Sequence, residues 1–345
     1  MKSTIIGVDL AKSIFQVCIV DKNNKIVSNL SIKRRDLSRY ICSQPEALVV
    51  MEACSGASYW ARKFTSYGHE VTILAAQHVT PFRRGQKNDA NDALALVEAV
   101  QRPQIKSVPI KSFDQQDLQS IHRVRERLVK QRTALANQIR GISLEYGVAI
   151  PKGIHQLSRQ IPEIIENAEN ELTMRTRELL ADLYKELKLL DSRINHYTHV
   201  LETEAKQNEA CKRLLKLEGI GPIIATAMVS MVGRGDCFTN GRQMAAWLGL
   251  VPRQYSSGGK PRLLGISKRG DSYLRKLLIH GARAVIRHLK EKTDSKSRWL
   301  RQLVSRAGTN KAAVALANKT VRTAWAILTK GEDYQVDFVL NTAKS

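Results

Sequence analysis

The sequence predicts an α/β fold for the N-terminal third of the chain and a mostly helical fold for the rest. Up to about residue 105, short β-favouring runs alternate with helical segments. From about residue 112 to 206, apolar residues recur at heptad spacing. Beyond residue 206, apolar helices are interrupted by glycine turns. At 345 residues the chain is long enough for two or three cores.

The N-terminal elements have a recognisable order. Three strands, the second and third joined by a polar turn at residues 21–24, precede a strand–helix–strand–helix series. This is the order of an RNase H-like fold, and we predict such a domain over residues 1–108. The strands lie in residues 4–10, 15–20, 25–32, 47–52 and 70–76, and the helices in 57–67 and from Asp89 onward.

Four carboxylates stand out in this domain. Asp9 lies inside one apolar run, Glu52 ends another, and Asp89 and Asp92 are three apart at the start of a helix, so that both can project from one face. An ionised carboxylate in a buried strand is costly unless a cation or hydrogen bond compensates it. Four oxygen ligands on two strands and one helix predict a site for two Mg²⁺ ions, which would serve phosphodiester chemistry.

Each carboxylate also has an ordinary structural explanation. Asp89 alone is typical of a helix N-cap, and Asp92 of an acid in the first helical turn. Glu52 alone is compatible with a strand that ends at the surface. Asp9 is harder to explain in this way, because it is the one charge in a nearly continuous β-favouring run.

Composition indicates the kind of partner. Lys and Arg number 55 against 32 Asp and Glu, which gives a formal net charge of +23 and a surface that attracts polyanions. Nucleic acid is the expected partner. No apolar run approaches the roughly 20 residues that cross a bilayer, and no signal-like segment opens the sequence, so we expect a cytosolic protein without a membrane partner.

The cysteines point to neither a metal site nor a disulfide framework. The five lack any C-x-x-C spacing, and we expect them to behave as small buried apolar residues. They are Cys18, Cys42, Cys54, Cys211 and Cys237.

The region 109–206 is predicted to form a helical coiled-coil hairpin. Two heptad-spaced seams are separated by helix-breaking segments at residues 146–153 and near Pro162, which indicates antiparallel arms. An ordinary helical bundle and a dimer interface are equally compatible with these seams. The seams consist of Ile121, Leu128, Leu135 and Ile142, and of Leu183, Leu187, Leu190, Ile194, Tyr197 and Leu201.

The region 207–345 opens with a glycine turn between two helices. Gly219 and Gly221 precede a helix that starts at Pro222, a pattern typical of a helix-hairpin-helix motif. Such a turn exposes backbone N–H groups that bind phosphate without reading bases. The alternative is a helical hairpin that packs in the core.

A glycine-rich basic loop follows an apolar helix further along. Ser256 and Ser257 lie in it, and a strongly cationic setting is one way to activate a serine as nucleophile. The alternative is a flexible Ser-Ser-Gly-Gly turn. The basic residues of the loop, expected to bind nucleic-acid backbone, are Arg253, Lys260, Arg262, Lys268 and Arg269.

Five motifs together resemble one family over essentially the whole chain. The sequence is similar to the DEDD-type transposases of bacterial insertion sequences, the group that includes the Piv DNA invertase and the RNA-guided bridge recombinases. The motifs are IGVDLAK (6–12), VVMEA (49–53), KNDANDA (87–93), EGIGP (218–222) and AWLGLVPRQYSSGGK (246–260).

This resemblance implies a RuvC-like nuclease domain joined to a C-terminal transposase domain. It assigns Asp9, Glu52, Asp89 and Asp92 to the metal and Ser257 as the nucleophile that forms a transient phosphoserine link to DNA. Ser256 stands where relatives often carry an acid, which leaves a choice between adjacent serines. The resemblance also implies donor and target DNA, a structured guide RNA, and a homodimer or homotetramer with a composite site. The location implied is the bacterial cytoplasm at the nucleoid.

Other function classes remain open at this point. A RuvC-like Holliday-junction nuclease needs the four carboxylates and no serine nucleophile. An actin-like ATPase shares the IIGVDLAK pattern, but it needs a second α/β lobe where residues 112–206 are predicted to be helical. A non-catalytic nucleic-acid scaffold needs neither site.

Overall fold

A computed structural model describes residues 4–289 and 292–333 of the chain. The chain forms two compact units, Met1–Ser112 and Phe113–Ser345, and each is described by itself. We also predict a domain boundary at residues 206/207. It falls among the helices of the second unit and stays a prediction.

The first unit contains a six-stranded sheet in the order β3-β2-β1-β4-β5-β6. β1 pairs antiparallel with β2 and parallel with β4, so a meander is joined to a parallel pair. This mixed α/β arrangement is consistent with the predicted RNase H-like fold. The strands are β1 (Ile5–Asp9), β2 (Ile14–Val20), β3 (Ile26–Lys33), β4 (Leu48–Glu52), β5 (Glu70–Leu74) and β6 (Ser107–Val108).

Helices cover both faces of this sheet. Sequence patterning predicted the second and the fourth of them and missed the first, a polar segment in which only Leu37 and Ile41 are buried. It also missed the two-residue strand β6 and the single-turn third helix, because such short elements have no measurable periodicity. The helices are α1 (Arg34–Cys42), α2 (Ala57–Thr65), α3 (Ala76–Val79, followed by a 3₁₀ turn at Thr80–Phe82) and α4 (Asp89–Val100).

Alternation along β1 divides its side chains between two cores. Ile6 and Val8 pack with α1 and α2 on one face. Ile5 packs with α4 on the other face, and Gly7 and Asp9 share that side because side chains alternate along a strand.

Gly7 permits α4 to lie unusually close to β1. A Cβ atom at this position would overlap the Ala93 carbonyl oxygen and lie 2.8 Å from Val97 Cγ2. The backbone of α4 therefore contacts the strand directly, and this contact sets the height of the helix above Asp9.

The second unit begins with three helices, α5 (Phe113–Glu145), α6 (Ile154–Glu166) and α7 (Met174–Gln207). Arg125 Nε donates to Thr198 Oγ1 at 2.8 Å, and Arg132 Nη1 lies 2.7 Å from Asp191 Oδ1. Residue numbers rise along α5 while those of the contacted residues fall along α7, so the two helices are antiparallel, as predicted. Most of the predicted seam residues pack in one cluster between the helices, while coiled-coil geometry stays a prediction.

The helix break predicted near Pro162 is wrong. Pro162 lies inside α6, which runs to Glu166. A proline leaves the carbonyl four residues earlier without its helical donor. That carbonyl belongs to Ser158 and accepts a hydrogen bond from the Tyr184 hydroxyl of α7 at 3.1 Å. The tertiary contact therefore stabilises a helix that sequence alone would end.

The remaining helices of the second unit surround one apolar core. One two-stranded sheet, the only one among its described residues, interrupts them, so the second α/β lobe of an actin-like ATPase is not found there. No helix of the described chain is long and apolar enough to cross a membrane. These elements are α8 (Glu209–Leu215), α9 (Pro222–Val232), α10 (Gly241–Trp247), β7 (Pro252–Gln254), β8 (Leu263–Ile266), α11 (Ser272–Arg287), α12 (Ser295–Ala307) and α13 (Thr309–Lys330).

A fully buried histidine joins three helices of the second unit. His122 on α5 makes hydrogen bonds of 3.0 Å with the Tyr273 hydroxyl and with Thr226 Oγ1. Burial, with a smaller contribution from the Arg125 charge, lowers the pKa of His122 from 6.5 to about 4. The folded protein therefore holds this imidazole neutral.

We expect His122 to make stability fall in acid. Between about pH 7 and pH 4 the unfolded chain binds a proton at this position that the folded chain does not, so the free energy of unfolding falls by about 3 kcal/mol as the pH falls. Urea titrations followed by tryptophan fluorescence should show a smaller loss in His122→Gln than in the wild type. The exposed His199→Gln is the control, and equal losses in all three proteins would contradict the assignment.

A second prediction concerns the contact between β1 and α4. Gly7→Ala should lower the free energy of unfolding of the first unit by about 1–3 kcal/mol, because the added methyl overpacks the contact. Amide exchange in α4 should accelerate. Gly141→Ala, where nothing lies within 4 Å of the added atom, is the control and should cost nothing. Unchanged exchange in α4 would show that the helix does not depend on Gly7.

Candidate active site

Two of the four predicted carboxylates end neighbouring parallel strands. In the pairing between β1 and β4, the last pair is Val8 with Met51, and Asp9 and Glu52 follow these residues directly. Glu52 alternates with Val50, which packs on the α4 side of the sheet, so both carboxylates belong to that side. The sheet register thus brings together residues that are 43 positions apart in sequence.

The other two carboxylates lie in the first turn of α4. Asn88 is the N-cap, because its side chain accepts a hydrogen bond from the Asn91 N–H at 2.8 Å. The N-cap explanation for Asp89 is therefore wrong, and Asp89 is the first residue of the helix. Asp89 is exposed and Asp92 is half-buried.

A chain of amide side chains fixes the start of α4 on the sheet. Ser31 Oγ donates to Gln16 Oε1, and Gln16 Nε2 donates to Asn29 Oδ1, both at 2.7 Å. Asn29 Nδ2 then donates to the Ala90 carbonyl at 3.1 Å. Sequence reasoning missed these positioning residues, although polar side chains at alternate positions of β2 and β3 were a signal for them.

The four carboxylates share one electrostatic neighbourhood. Burial, together with the smaller contributions of the Asp92, Asp89 and Glu52 charges, raises the pKa of Asp9 from 3.8 to about 6. Burial and the Asp92 charge also raise the pKa of Glu52. Carboxylates that raise one another's pKa in this way are frequent at functional sites.

Two basic residues partly offset this negative charge. Arg83 Nη1 lies 3.3 Å from Asp92 Oδ1. The charges of Lys87 and Arg83 act on the pKa of Glu52 in the lowering direction, and Lys87 does the same for Asp9. Neither residue was singled out from the sequence, although both lie within six positions of Asp89 in a segment rich in basic residues.

Cys54 lies beside the carboxylates and is exposed. Burial of the sulfur and the charges of Glu52 and Asp9 raise the pKa of its thiol. The prediction that all five cysteines are buried is confirmed for Cys18 and Cys211. It is wrong for Cys42, the last residue of α1, and for Cys54, two residues beyond the end of β4, because both are exposed, while Cys237 is partly buried.

The donor set matches a hard divalent cation, since all four groups are carboxylates. Within residues 4–289 and 292–333, however, no three His, Cys, Asp or Glu side chains already form a group that could hold a metal ion. The pKa shifts therefore show that the carboxylates are near one another, whereas the side-chain positions do not yet form a set of metal ligands. The carboxylates are close enough to perturb one another's pKa, but their side chains do not converge on one point.

The predicted serine loop is the tip of an ordered β-hairpin. β7 and β8 pair antiparallel, and Ser257 forms an additional bridge with Lys260. Between them Gly258 and Gly259 have φ values of +55° and +73°. Two consecutive residues with positive φ are what a tight two-residue hairpin turn requires. The flexible-turn alternative missed this pairing.

The two serines of the hairpin differ in their contacts. Ser256 Oγ accepts hydrogen bonds from Gln254 Nε2 at 2.9 Å and from the Arg262 N–H at 3.2 Å. The Ser257 hydroxyl has no hydrogen-bond partner among the residues that the structure describes. Ser256 therefore holds the strands together, while the Ser257 hydroxyl is free at the tip.

The hairpin presents its positive charges to solvent. Packing of Gly249 on the backbone of Arg269, and of Gly270 on the Trp247 carbonyl, fixes the base of the hairpin against α10. The five basic residues predicted to bind nucleic acid are all exposed: Arg253, Lys260, Arg262, Lys268 and Arg269.

The two glycines of the turn before α9 have different surroundings. Gly219, with φ of +86°, packs against the backbone of Gly281 on α11, so this side of the turn belongs to the core. Nothing lies within 4 Å of a Cβ atom built on Gly221, so that side is open. The contact of Gly219 favours the core-hairpin alternative for that residue, while the role of both glycines in phosphate binding stays a prediction.

Two family models match parts of this chain. A DEDD-type transposase model of the IS110 group matches residues 6–146, which include all four carboxylates. A second model, described as the transposase IS116/IS110/IS902 family, matches residues 211–303, which include the serine hairpin.

Curated relatives are similar along nearly the whole chain. The transposase for insertion sequence element IS1111A of Coxiella burnetii is 44% identical over 331 residues, with 96% of this chain and 91% of the relative covered. A probable family 20 transposase of Pseudomonas aeruginosa is 46% identical, with 97% and 99% covered. The transposase for element IS1328 of Yersinia enterocolitica is 36% identical, with 95% and 97% covered. The chain therefore belongs to the IS116/IS110/IS902 family of insertion-sequence transposases.

Proposed function

We propose that this chain cleaves and rejoins DNA strands of an insertion sequence, with Mg²⁺ held by four carboxylates and Ser257 as the nucleophile. The observation that carries the proposal is the electrostatic coupling of Asp9 with Glu52, Asp89 and Asp92. Three separate elements contribute to that one neighbourhood. A fold has no structural need to crowd four acids beside a partly buried strand end, whereas a metal site requires it.

Asp9, Glu52, Asp89 and Asp92 would hold the metal. When bound, Mg²⁺ supplies Lewis-acid stabilisation of charge on the phosphate oxygens. The sheet register keeps Asp9 and Glu52 adjacent, and the contact at Gly7 keeps α4 above them. The raised pKa of Asp9 means that this carboxyl must release its proton before it can act as a ligand.

Ser257 is suited to covalent catalysis by its position. Its Oγ would attack phosphorus to form a phosphoserine bond, the bond from phosphorus to one sugar oxygen would break, and that oxygen would leave with a proton. The reverse attack by a sugar hydroxyl rejoins the strand and releases serine, so the bond energy is conserved. The exposed arginines and lysines of the hairpin would hold the phosphate backbone by charge.

The remaining partners follow from the resemblance and from charge. We infer donor and target DNA as substrates, a structured guide RNA, and a homodimer or homotetramer that works in the bacterial cytoplasm at the nucleoid. The net charge of +23 supports polyanionic partners of either kind. The turn at Gly219 and Gly221 would bind a phosphate through backbone N–H groups, and the free space beside Gly221 leaves room for it.

The metal proposal predicts a change in stability as well as in activity. Mg²⁺ should raise the unfolding temperature of the wild type, by more at about pH 7.5 than at about pH 5, because below the raised pKa of Asp9 a proton competes with the ion. Asp9→Asn should lose this increment and all strand cleavage, while without metal it should be at least as stable as the wild type.

Asp36→Asn is the control, since this partly exposed acid of α1 lies outside the carboxylate set. It should keep both the Mg²⁺ increment and cleavage. If Mg²⁺ raised the unfolding temperature of Asp9→Asn as much as that of the wild type, the four-carboxylate site would be removed from the proposal.

The nucleophile proposal predicts a covalent protein–DNA adduct. On a nicked suicide substrate the wild type should give a denaturation-resistant band that protease removes, because only a protein nucleophile stays attached to the broken end. Ser257→Ala should lose the band and recombination and still bind DNA, since one hydroxyl contributes little to an interface dominated by phosphate charge.

Ser256→Ala separates the two serines. It should loosen the hairpin and slow the reaction, yet keep the adduct, because the hydroxyl at position 257 remains. An adduct that survives Ser257→Ala and disappears in Ser256→Ala would move the nucleophile by one residue. Cleavage without an adduct in any protein would favour a water-using RuvC-like nuclease instead.

A further inference from the structure

Among the residues that the structure describes, Arg83 is the basic side chain that forms an ion pair with one of the four carboxylates. Its Nη1 lies 3.3 Å from Asp92 Oδ1, and the two side chains are 30% and 24% exposed. A pair that is mostly shielded from water is screened less than one at the surface. In this structure Arg83 therefore acts as a counter-ion of the carboxylate cluster.

The chain segment around Arg83 is ordered by its own contacts. The Arg83 N–H donates to the Thr80 carbonyl at 3.2 Å, which closes the 3₁₀ turn after α3. Further along, Gly85 has φ of +73°, and Asn91 Nδ2 donates to the Gln86 carbonyl at 2.8 Å. The segment is thus tied at both ends, one of them on α4 itself.

The neighbouring arginine provides a comparison. Arg84 Nη2 lies 3.5 Å from Glu98 Oε2, and its side chain is 84% exposed. Glu98 lies more than a helical turn beyond Asp92 and is outside the four-carboxylate set. Two adjacent arginines therefore pair with acids of α4 in different places, and only one of those acids belongs to the cluster.

We propose that Arg83 competes with a divalent cation for Asp92, and that the guanidinium, once displaced, binds the DNA phosphate held at the carboxylates. This inference rests on the function proposed above. An Asp92 oxygen that accepts a hydrogen bond from Arg83 cannot give the same lone pair to an ion, so the two cations compete. A guanidinium released beside the carboxylates has the planar fork that matches a phosphate.

If Arg83 and the ion compete for Asp92, removal of the Arg83 charge should increase the affinity for the ion. Arg83→Gln should bind Mn²⁺ more tightly than the wild type, by about fivefold, which corresponds to the roughly 1 kcal/mol of a partly exposed ion pair. The measurement is a Mn²⁺ titration of the full chain without DNA, followed by electron paramagnetic resonance of the free ion. Arg84→Gln, the matched control, should leave the affinity unchanged.

The phosphate contact predicts the opposite direction for catalysis. At saturating Mn²⁺, single-turnover strand cleavage by Arg83→Gln should be slower by at least about tenfold, because a charge that stabilises the phosphate is lost. Arg83→Lys should restore part of the rate, since it keeps the charge without the fork. Arg84→Gln should cleave like the wild type.

Each result decides the inference. Tighter Mn²⁺ binding together with slower cleavage in Arg83→Gln supports it, and either an unchanged affinity or an unchanged rate overturns it. If Asp9→Asn lowers the affinity for Mn²⁺ and Arg83→Gln does not alter it, the metal site stands and only the role of Arg83 fails. If Asp9→Asn binds Mn²⁺ like the wild type, the metal site and this inference fail together.

Discussion

The close approach of α4 to β1 is the contact on which the carboxylate site depends. Gly7 has no side chain, so the helix backbone rests on the strand two residues before Asp9. The polar chain from Ser31 through Gln16 and Asn29 holds the first turn of the same helix from the other strands. Packing at one point and hydrogen bonding at another thus fix where Asp89 and Asp92 stand. Close-packed interiors transmit such constraints because they do not deform continuously.

The proximity of the four acids lowers the stability of the fold, and the same proximity is what a metal site would require. Burial of the strand end and repulsion among the four acids both raise the pKa of Asp9. The Lys87 charge offsets part of this effect at Asp9, and Lys87 and Arg83 together do so at Glu52. A site that was fully neutralised by its own arginines and lysines would be more stable and would have no affinity for an ion. Incomplete compensation is therefore what a metal-dependent enzyme needs from its basic residues.

Much of this arrangement was predictable, and the failures have physical causes. Period-two patterning located the main strands, and the order of elements indicated the sheet, because alternation is a local property of the chain. The polar helix α1 and the continuation of α6 through Pro162 were missed, since tertiary contacts determine both. For the candidate site, Asp9 and Glu52 were singled out because a charge is unusual in an apolar run, and Asp89 and Asp92 because they lie three apart at the start of a helix. Gln16, Asn29 and Arg83 were not found, because an ordinary polar residue acquires its role only from what the fold places opposite it.

In the serine hairpin, too, the fold gives different surroundings to similar residues. Two adjacent, chemically identical hydroxyls differ because a strand pairs on one side of Ser256 and a tight glycine turn begins after Ser257. A hydroxyl that accepts two hydrogen bonds is held as part of the scaffold. A nucleophile has to rotate toward phosphorus and lose its proton, and bonds that fix it in another direction would have to break first. Rigidity at Ser256 and freedom at Ser257 are therefore complementary, since the first holds the backbone from which the second would reach its target.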